Sequence, residues 1–149
     1  MSADAAATLN ASARIRQLSD LTRQLTKRLA AELAAFEARR PQDAMASLPQ
    51  TQELANVYRR ESAQVKADPA ILSAAPAADR MALIRDTEAF EAVLSRHARA
   101  VEAARIISEG LVRAIAAEVT EARGTPSAYG ATGKASSGDG RAVAFNRTA

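Results

Sequence analysis

Three stretches of the chain repeat large apolar residues at the spacing of an α-helix. The first extends from about Asn10 to Arg39, and its apolar positions are separated by three or four residues. They are Ile15, Leu18, Leu21, Leu25, Leu29, Leu33 and Phe36. Because this spacing places them on one helix face, it predicts an amphipathic helix with that face in a core. Asn10 or Ser12 is expected to cap its start, and Pro41 to stop it, because proline disfavours helix in the residue before it.

A second helix is predicted from about Gln42 to Lys66. Pro41 suits its first turn, where the missing N–H has no partner to lose. Five apolar side chains are assigned to its inner face: Met45, Leu48, Leu54, Tyr58 and Val65. Pro49 lies inside this pattern, so either the helix kinks there or a short turn precedes a start near Pro49. We favour the kink.

A connector bracketed by two proline-containing pairs, at residues 68–69 and 75–76, precedes the third helix. Ile71 and Leu72 are expected to pack it against the end of the bundle. The third helix is predicted from about Ala77 to Arg123, and its seam positions are separated alternately by four and three residues. They are Leu83, Thr87, Phe90, Leu94, His97, Val101, Ala104, Ser108, Leu111 and Ile115. This heptad pattern is typical of a coiled coil.

The third helix is much longer than the first two, at about 47 residues against about 30 and about 25. Its second half, near residues 104–123, is therefore expected to lack a partner in a three-helix bundle. Five of its side chains form our candidate site for the amphipathic helix of another protein: Ile107, Leu111, Val112, Ile115 and Val119. Two alternatives stay open. The stripe is closed within the chain, by kinking or by pairing with the first helix, or it forms a homodimer.

Composition favours an all-α protein. Apolar residues make up 48% of the chain, and many of them are alanine. Aromatic residues make up only 3% of the chain. Strands favour aromatic and β-branched residues, whereas Ala, Leu, Arg and Glu favour helices. The predicted fold is an elongated antiparallel three-helix bundle or coiled coil with one very long C-terminal helix and a flexible tail. Five of the six glycines lie in residues 124–149, so the predicted division is a helical domain, 1–123, and a flexible tail, 124–149.

The residue types needed for chemistry are scarce. Without cysteine and with one histidine, the chain offers no disulfide and no thiolate or histidine metal site, and we expect no cofactor. His97 occupies a seam position and is expected to be structural. The segment from Gly130 to Ala135 lacks the first glycine and the Ser or Thr of a phosphate-binding loop. Charged residues alternate in sign along the third helix, with pairs such as Glu109–Arg113 at i,i+4 spacing. We expect a protein that is not an enzyme.

Net charge and hydropathy exclude two further classes of partner. The formal net charge is +3 and the basic residues form no dense patch, so nucleic-acid binding is not expected. No stretch approaches the roughly 20 apolar residues of a membrane helix. The N-terminus lacks the basic start and apolar run of a secretory signal. A cytoplasmic protein, monomeric or homodimeric, is expected.

Several stretches spread over most of the chain carry a resemblance to a known family. They are Leu21–Leu25, Ala34–Pro41, Glu53–Ala55, Tyr58–Glu61, Asp68–Pro69, Ser108–Ile115 and the tail from Tyr129 to Arg147. Through them the chain resembles the FlgN-like flagellar type III export chaperones, particularly their alphaproteobacterial form. Pro49 departs from the uninterrupted second helix of that family.

The resemblance implies a three-helix cytosolic chaperone that holds hook-filament junction subunits before export. Such proteins grip the C-terminal helix of the subunit with their own C-terminal helical region, in agreement with the candidate site above. They deliver the subunit to the export gate, on which a tyrosine near the end of that region docks. Tyr129 is the matching candidate here. The alternative function is a structural coiled-coil protein that self-associates through the C-terminal half of its last helix.

Overall fold

Four α-helices follow one another along the chain: α1 (Ala3–Glu37), α2 (Pro41–Ala67), α3 (Pro69–Ala74) and α4 (Ala77–Tyr129). The computed structural model describes the backbone of residues 2–129 and the side chains of residues 2–124. These residues contain no strand, and α4 is the longest helix, with 53 residues. The predicted all-α helical bundle with a long C-terminal helix is confirmed.

The start of α1 lies earlier than predicted. Ser2 is its N-cap residue, and its hydroxyl accepts a hydrogen bond from the backbone N–H of Ala5 at 3.2 Å. The predicted caps were wrong: Asn10 lies within the helix, and Ser12 is buried inside it. Alanine, abundant in this segment, has the highest helix propensity, which explains why the helix extends to its first serine.

The turn between α1 and α2 depends on a left-handed backbone conformation. Arg39 has a φ of 59°, and the next N–H, that of Arg40, donates to the carbonyl of Ala35 at 2.8 Å. This satisfies a carbonyl at the end of α1, as glycine usually allows at this position. Pro41 then occupies the first turn of α2, as predicted.

Helix α2 continues through Pro49 and is not broken by it. One heptad position forms its inner edge: Ala44, Thr51 and Val65 are buried and Tyr58 is half-buried. Met45 was predicted to face inward but is 61% exposed. The reason is its heptad position, which it shares with the exposed polar residues Gln52, Arg59 and Lys66.

Side-chain pairs fix the directions of the helices within residues 1–102. Arg14 of α1 contacts Gln64 of α2, and Glu32 contacts Thr51, so these two helices are antiparallel. Ser12 contacts Asp79, and Glu32 contacts His97, so α4 runs parallel to α1.

The core contains two apolar clusters, which Tyr58 joins. The first holds Ala11, Ile15, Leu18, Val65 and Ala75, with Ile71 and Leu83 packed against it. The second holds Leu25, Leu29 and Phe90, with Leu54 and Val93 alongside. The predicted apolar stripe of α1 therefore faces the core. In the connector, Ile71 packs as predicted, but Leu72 is 36% exposed.

The chain divides into two units, one ending at Glu102 and the other beginning at Ala103. Helix α4 ends at Tyr129, beyond the predicted end at Arg123. Most of the predicted tail, including the phosphate-loop candidate at 130–135, lies outside the described residues, and its flexibility stays a prediction. None of the helices in the described part of the chain has the length and apolar character needed to cross a membrane.

Candidate protein-binding surface

A row of aliphatic side chains lies exposed on α4 in the second unit. Their exposed fractions range from 44% for Val119 to 71% for Ile107. This aliphatic strip consists of the five predicted site residues: Ile107, Leu111, Val112, Ile115 and Val119. Large aliphatic residues are usually buried, so five exposed on one helix form a surface suited to another protein.

The strip occupies one side of the helix. At the 3.6 residues per turn of an α-helix, its five side chains fall within an arc of about 140°. Ala104, Ser108, Glu118 and Ala122 lie within the same arc, so one charged residue is part of this side of the helix. Ile106 is 54% exposed but projects from the opposite side of α4. An aliphatic stripe of this width is the form that binds another amphipathic helix.

The charged residues beside the strip are paired differently from the sequence prediction. Glu109 accepts a hydrogen bond from the guanidinium of Arg105, at 2.5 Å, one helical turn before it. The predicted Glu109–Arg113 pair is not formed. Arg113 projects from the same side of α4 as Ile106, away from the strip.

The first unit contains a buried polar network around Glu32, a residue that sequence reasoning did not single out. Glu32 is only 3% exposed, and one of its carboxylate oxygens accepts a hydrogen bond from the Thr51 hydroxyl at 2.5 Å. The other oxygen lies 3.1 Å from Nε2 of His97. Because a carboxylate oxygen accepts, the ring nitrogen donates.

The environment of His97 is that of a packed structural residue, as expected. Its ring meets that of Phe36 edge-on, with centroids 6.0 Å apart. The Thr51 hydroxyl donates to Glu32, so it is not prepared as a nucleophile by the histidine. The network joins α1, α2 and α4.

A repeated polar contact between α1 and α4 was also missed. Asp79 accepts from the Ser12 hydroxyl at 2.6 Å and from Nε of Arg16 at 3.0 Å. These hydrogen bonds, from Ser12 first and then from Arg16, lower the pKa of the Asp79 carboxyl from its ordinary value. Asp79 lies in the first turn of α4.

One heptad further along both helices, the same residue types meet less closely. Asp86 lies 3.9 Å from Nε of Arg23. Ser19 is buried, and its hydroxyl has no hydrogen-bond partner among the described residues. The signal in the sequence is a seven-residue repeat: Ser12 and Arg16 are followed by Ser19 and Arg23 on α1. The two aspartates of α4 have the same spacing of seven positions.

An apolar cavity of about 400 Å³ opens between α3 and α4 in the first unit. It is lined by Leu72, Arg80, Leu83, Ile84, Thr87 and Glu88. The Arg80 guanidinium is held by the carbonyls of Leu72 and Ala75. In the described part of the chain, no group of three or more His, Asp or Glu side chains is placed to hold a metal ion.

Comparison with known proteins identifies a full-length relative. The chain is 45% identical over 148 residues to the flagellar basal-body protein FlbY of Caulobacter vibrioides, and the match covers 97% of this chain and 99% of that protein. No family model matches the chain. No solved structure matches it either.

Proposed function

The chain belongs to the family of the flagellar basal-body protein FlbY, and from this premise we propose that it is a cytosolic, non-enzymatic export chaperone acting in flagellar assembly. Its client is the C-terminal amphipathic helix of a hook-filament junction subunit. The observation that carries this proposal is the exposed aliphatic strip on α4.

The strip supplies the driving force for binding. Fully burying one aliphatic side chain of this size stabilises a complex by about 1.5–3 kcal/mol. The strip residues are 44–71% exposed, so roughly half of that gain is still available at each position. Five positions together favour an amphipathic client helix, which presents apolar residues at i, i+3, i+4 and i+7.

The first unit supports the second in this proposal. Its polar contacts, between Ser12 and Asp79 and between Glu32 and His97, hold α4 beside α1. Within the second unit, the aliphatic strip is the surface assigned to the client. No catalytic step is assigned to either unit.

The test is direct binding of the purified chain to purified C-terminal segments of hook-filament junction subunits, followed by fluorescence anisotropy. Replacing Leu111 and Ile115 by Asp should weaken binding at least about a hundredfold, because two apolar contacts are lost and two charges are placed in the interface. Circular dichroism should show that most helix content is kept.

The matched control is Ile106→Asp. Ile106 is exposed on the same helix, at a similar fraction, but lies on the opposite side. This variant should bind the client as the wild type does. If the Leu111→Asp/Ile115→Asp double variant binds equally well, or Ile106→Asp loses binding to the same degree, the strip is not the client site.

Tyr129 is proposed as the contact with the export gate. Its backbone forms the last residue of α4, and the assignment follows from the family resemblance alone. Tyr129→Ala should leave client binding unchanged and reduce secretion of the client in cells. Unchanged secretion would remove Tyr129 from the proposal.

A further inference from the structure

A carboxylate lies inside the aliphatic strip. The seam of α4 does not stop at Ile115, because the alternation of three- and four-residue gaps continues to Glu118 and then to Ala122. Glu118 therefore occupies a seam position within the arc of the strip, and its side chain is exposed. Between residues 103 and 124 it is the only charged residue in that arc.

The helix that carries Glu118 offers it no cation. Side chains on one helix pair when they are three or four residues apart. Four residues lie at those distances from Glu118, and none of them is basic: Ala114, Ile115, Glu121 and Ala122. Within residues 2–124, whose side chains the structure describes, the Glu118 carboxylate takes part in no ion pair and no side-chain hydrogen bond.

The first unit shows how a covered seam position of α4 is filled. Phe90, His97, Leu111 and Glu118 share one heptad position, since multiples of seven residues separate them. Phe90 is 9% exposed and belongs to the apolar core. Nε2 of His97 lies 3.1 Å from the buried carboxylate of Glu32, on α1. Where this position is polar and covered, a side chain of the facing helix supplies the hydrogen-bond partner.

Covering the strip with a client helix removes water from the Glu118 carboxylate. An ionised carboxylate that loses water without gaining a partner is strongly disfavoured. A lysine or arginine that faces it forms a charge-assisted hydrogen bond instead. An apolar or acidic client residue at this point would oppose the gain from burying the five aliphatic side chains. The charge in the seam therefore selects the kind of helix that can bind.

We propose that the client helix carries a basic side chain that pairs with Glu118, and that this pair sets the register in which the client lies on the strip. The client itself comes from the export function proposed above, on which this inference rests. Leu111 and Ile115 supply apolar contact, and Glu118 discriminates against apolar helices that lack the cation. A single polar seam residue fixes the register of a coiled coil in the same way, at a cost in affinity.

The strip of a second copy does not meet this requirement. Between residues 103 and 124, the arc that contains Ile107, Leu111 and Ile115 includes no lysine or arginine. Two strips laid face to face would bury two carboxylates with no cation from either seam. The charge pattern favours a basic amphipathic helix of another protein.

Glu118→Leu separates this role from that of a charge that is only solvated. Purified C-terminal segments of hook-filament junction subunits are the probes, and fluorescence anisotropy measures binding. The variant should bind about tenfold more weakly, although its strip is more apolar, because the cation of the client loses its partner. Glu109→Leu, on the same side of α4 as Ile106, is the matched control and should bind as the wild type does. Tighter binding by Glu118→Leu overturns the proposal.

Charge reversal identifies the client residue. Glu118→Lys should weaken binding about a hundredfold, because two cations then face each other in the interface. Each lysine and arginine of the client segment is replaced by glutamate in turn. One of these variants should lose binding to the wild type and recover it with Glu118→Lys. If none does, no basic residue of the client pairs with Glu118.

Two synthetic amphipathic helices distinguish this inference from the function on which it rests. Both carry leucine at every seam position except a central one, which is lysine in one peptide and glutamate in the other. The wild type should bind the lysine peptide about tenfold more tightly, and Glu118→Lys should reverse the preference. Equal binding of the two peptides overturns the inference. So does binding of neither, including the case of a wild-type dimer, detected by sedimentation, that Leu111→Asp abolishes.

The two proposals therefore fail separately. Client segments that do not bind, while the peptides show the expected preference, refute the chaperone function and leave the basic-helix specificity of the strip. Client segments whose binding depends on Leu111 and Ile115 but is unchanged or tightened in Glu118→Leu do the reverse.

Discussion

The Glu32 network gives a quantitative prediction about the stability of the first unit. Glu32 is 3% exposed and Thr51 5%, so the hydrogen bond between them is shielded from water. A hydrogen bond to a charged group contributes about 1.5–3 kcal/mol, and leaving its acceptor unpaired carries a desolvation cost. Thr51→Val keeps the shape of the side chain and removes only the donor. We expect it to lower the free energy of unfolding by about 2 kcal/mol.

Replacing His97 should lower the free energy of unfolding by as much as Thr51→Val or more. His97→Leu takes away the donor 3.1 Å from the other oxygen of Glu32 and the edge-on contact with Phe36. Leaving a buried acceptor without its donor costs about 1–3 kcal/mol, and more when the acceptor is charged. The triple change Glu32→Leu, Thr51→Val and His97→Leu removes the buried polar groups together. It should recover most of the loss, because apolar replacements of similar volume leave no group unpaired.

Urea unfolding followed by circular dichroism measures these differences, with thermal melts as a second readout. A loss of about 2 kcal/mol corresponds to a fall in Tm of about 8 °C for a domain of this size. Thr26→Val is the matched control, because the Thr26 hydroxyl bonds only a carbonyl of its own helix, that of Thr22. The reasoning is refuted if Thr51→Val lowers the free energy of unfolding no more than Thr26→Val does. It is also refuted if the triple variant loses as much stability as its single substitutions added together.

Four further substitutions test local features. Ser12→Ala should raise the pKa of Asp79 toward its ordinary value of 3.8, as followed by ¹³C NMR of the carboxyl. The lowered pKa of the Asp79 carboxyl stabilises the fold above pH 3.8, and this contribution is lost as the pH falls through the pKa of the folded state. The loss of stability caused by Ser12→Ala, measured by urea unfolding, should therefore be smaller below pH 3.8. Ser19→Ala, one heptad later, should leave stability in urea equal or up to about 1 kcal/mol higher, since it removes a buried unpaired hydroxyl. Gly110→Ala should slow amide exchange around it by stabilising α4 by about 1 kcal/mol, because an added Cβ meets nothing within 4 Å. Arg39→Gly should raise Tm, with a gain of about 0.5–1 kcal/mol from relief of the left-handed φ; a lower Tm would contradict this assignment.

The apolar skeleton of the first unit was predictable from the sequence. Residues such as Ile15, Leu25 and Leu29 repeat at helical spacing, and only one face of a helix can bury them together. The exposure of Met45 was also readable, since the positions seven and fourteen residues later are Gln52 and Arg59. A comparison of positions seven residues apart along α2 would have assigned Ala44 to the buried face in place of Met45.

The polar part of the core was not predictable by the same means. Burial of Glu32 depends on donors from two other helices, Thr51 and His97, which lie 19 and 65 residues away in sequence. Ser12 was taken for a helix cap because local hydrogen bonding is the usual role of serine. Its partner, Asp79, is 67 residues away. The aliphatic strip was predicted from the length of the last helix, and the structure shows its side chains exposed, while its binding role stays a prediction.

The heptad repeat of serine, arginine and aspartate means that α4 could slide along α1 by seven residues and still find a matching set of polar partners. Asp79 would then sit beside Ser19 and Arg23 instead of Ser12 and Arg16. Such a slip would place an apolar neighbour, Phe90 or Ala104 according to its direction, beside the carboxylate of Glu32. Only the observed register gives Glu32 a hydrogen-bond donor from α4, so His97 favours this alignment of the helices over one shifted by seven residues.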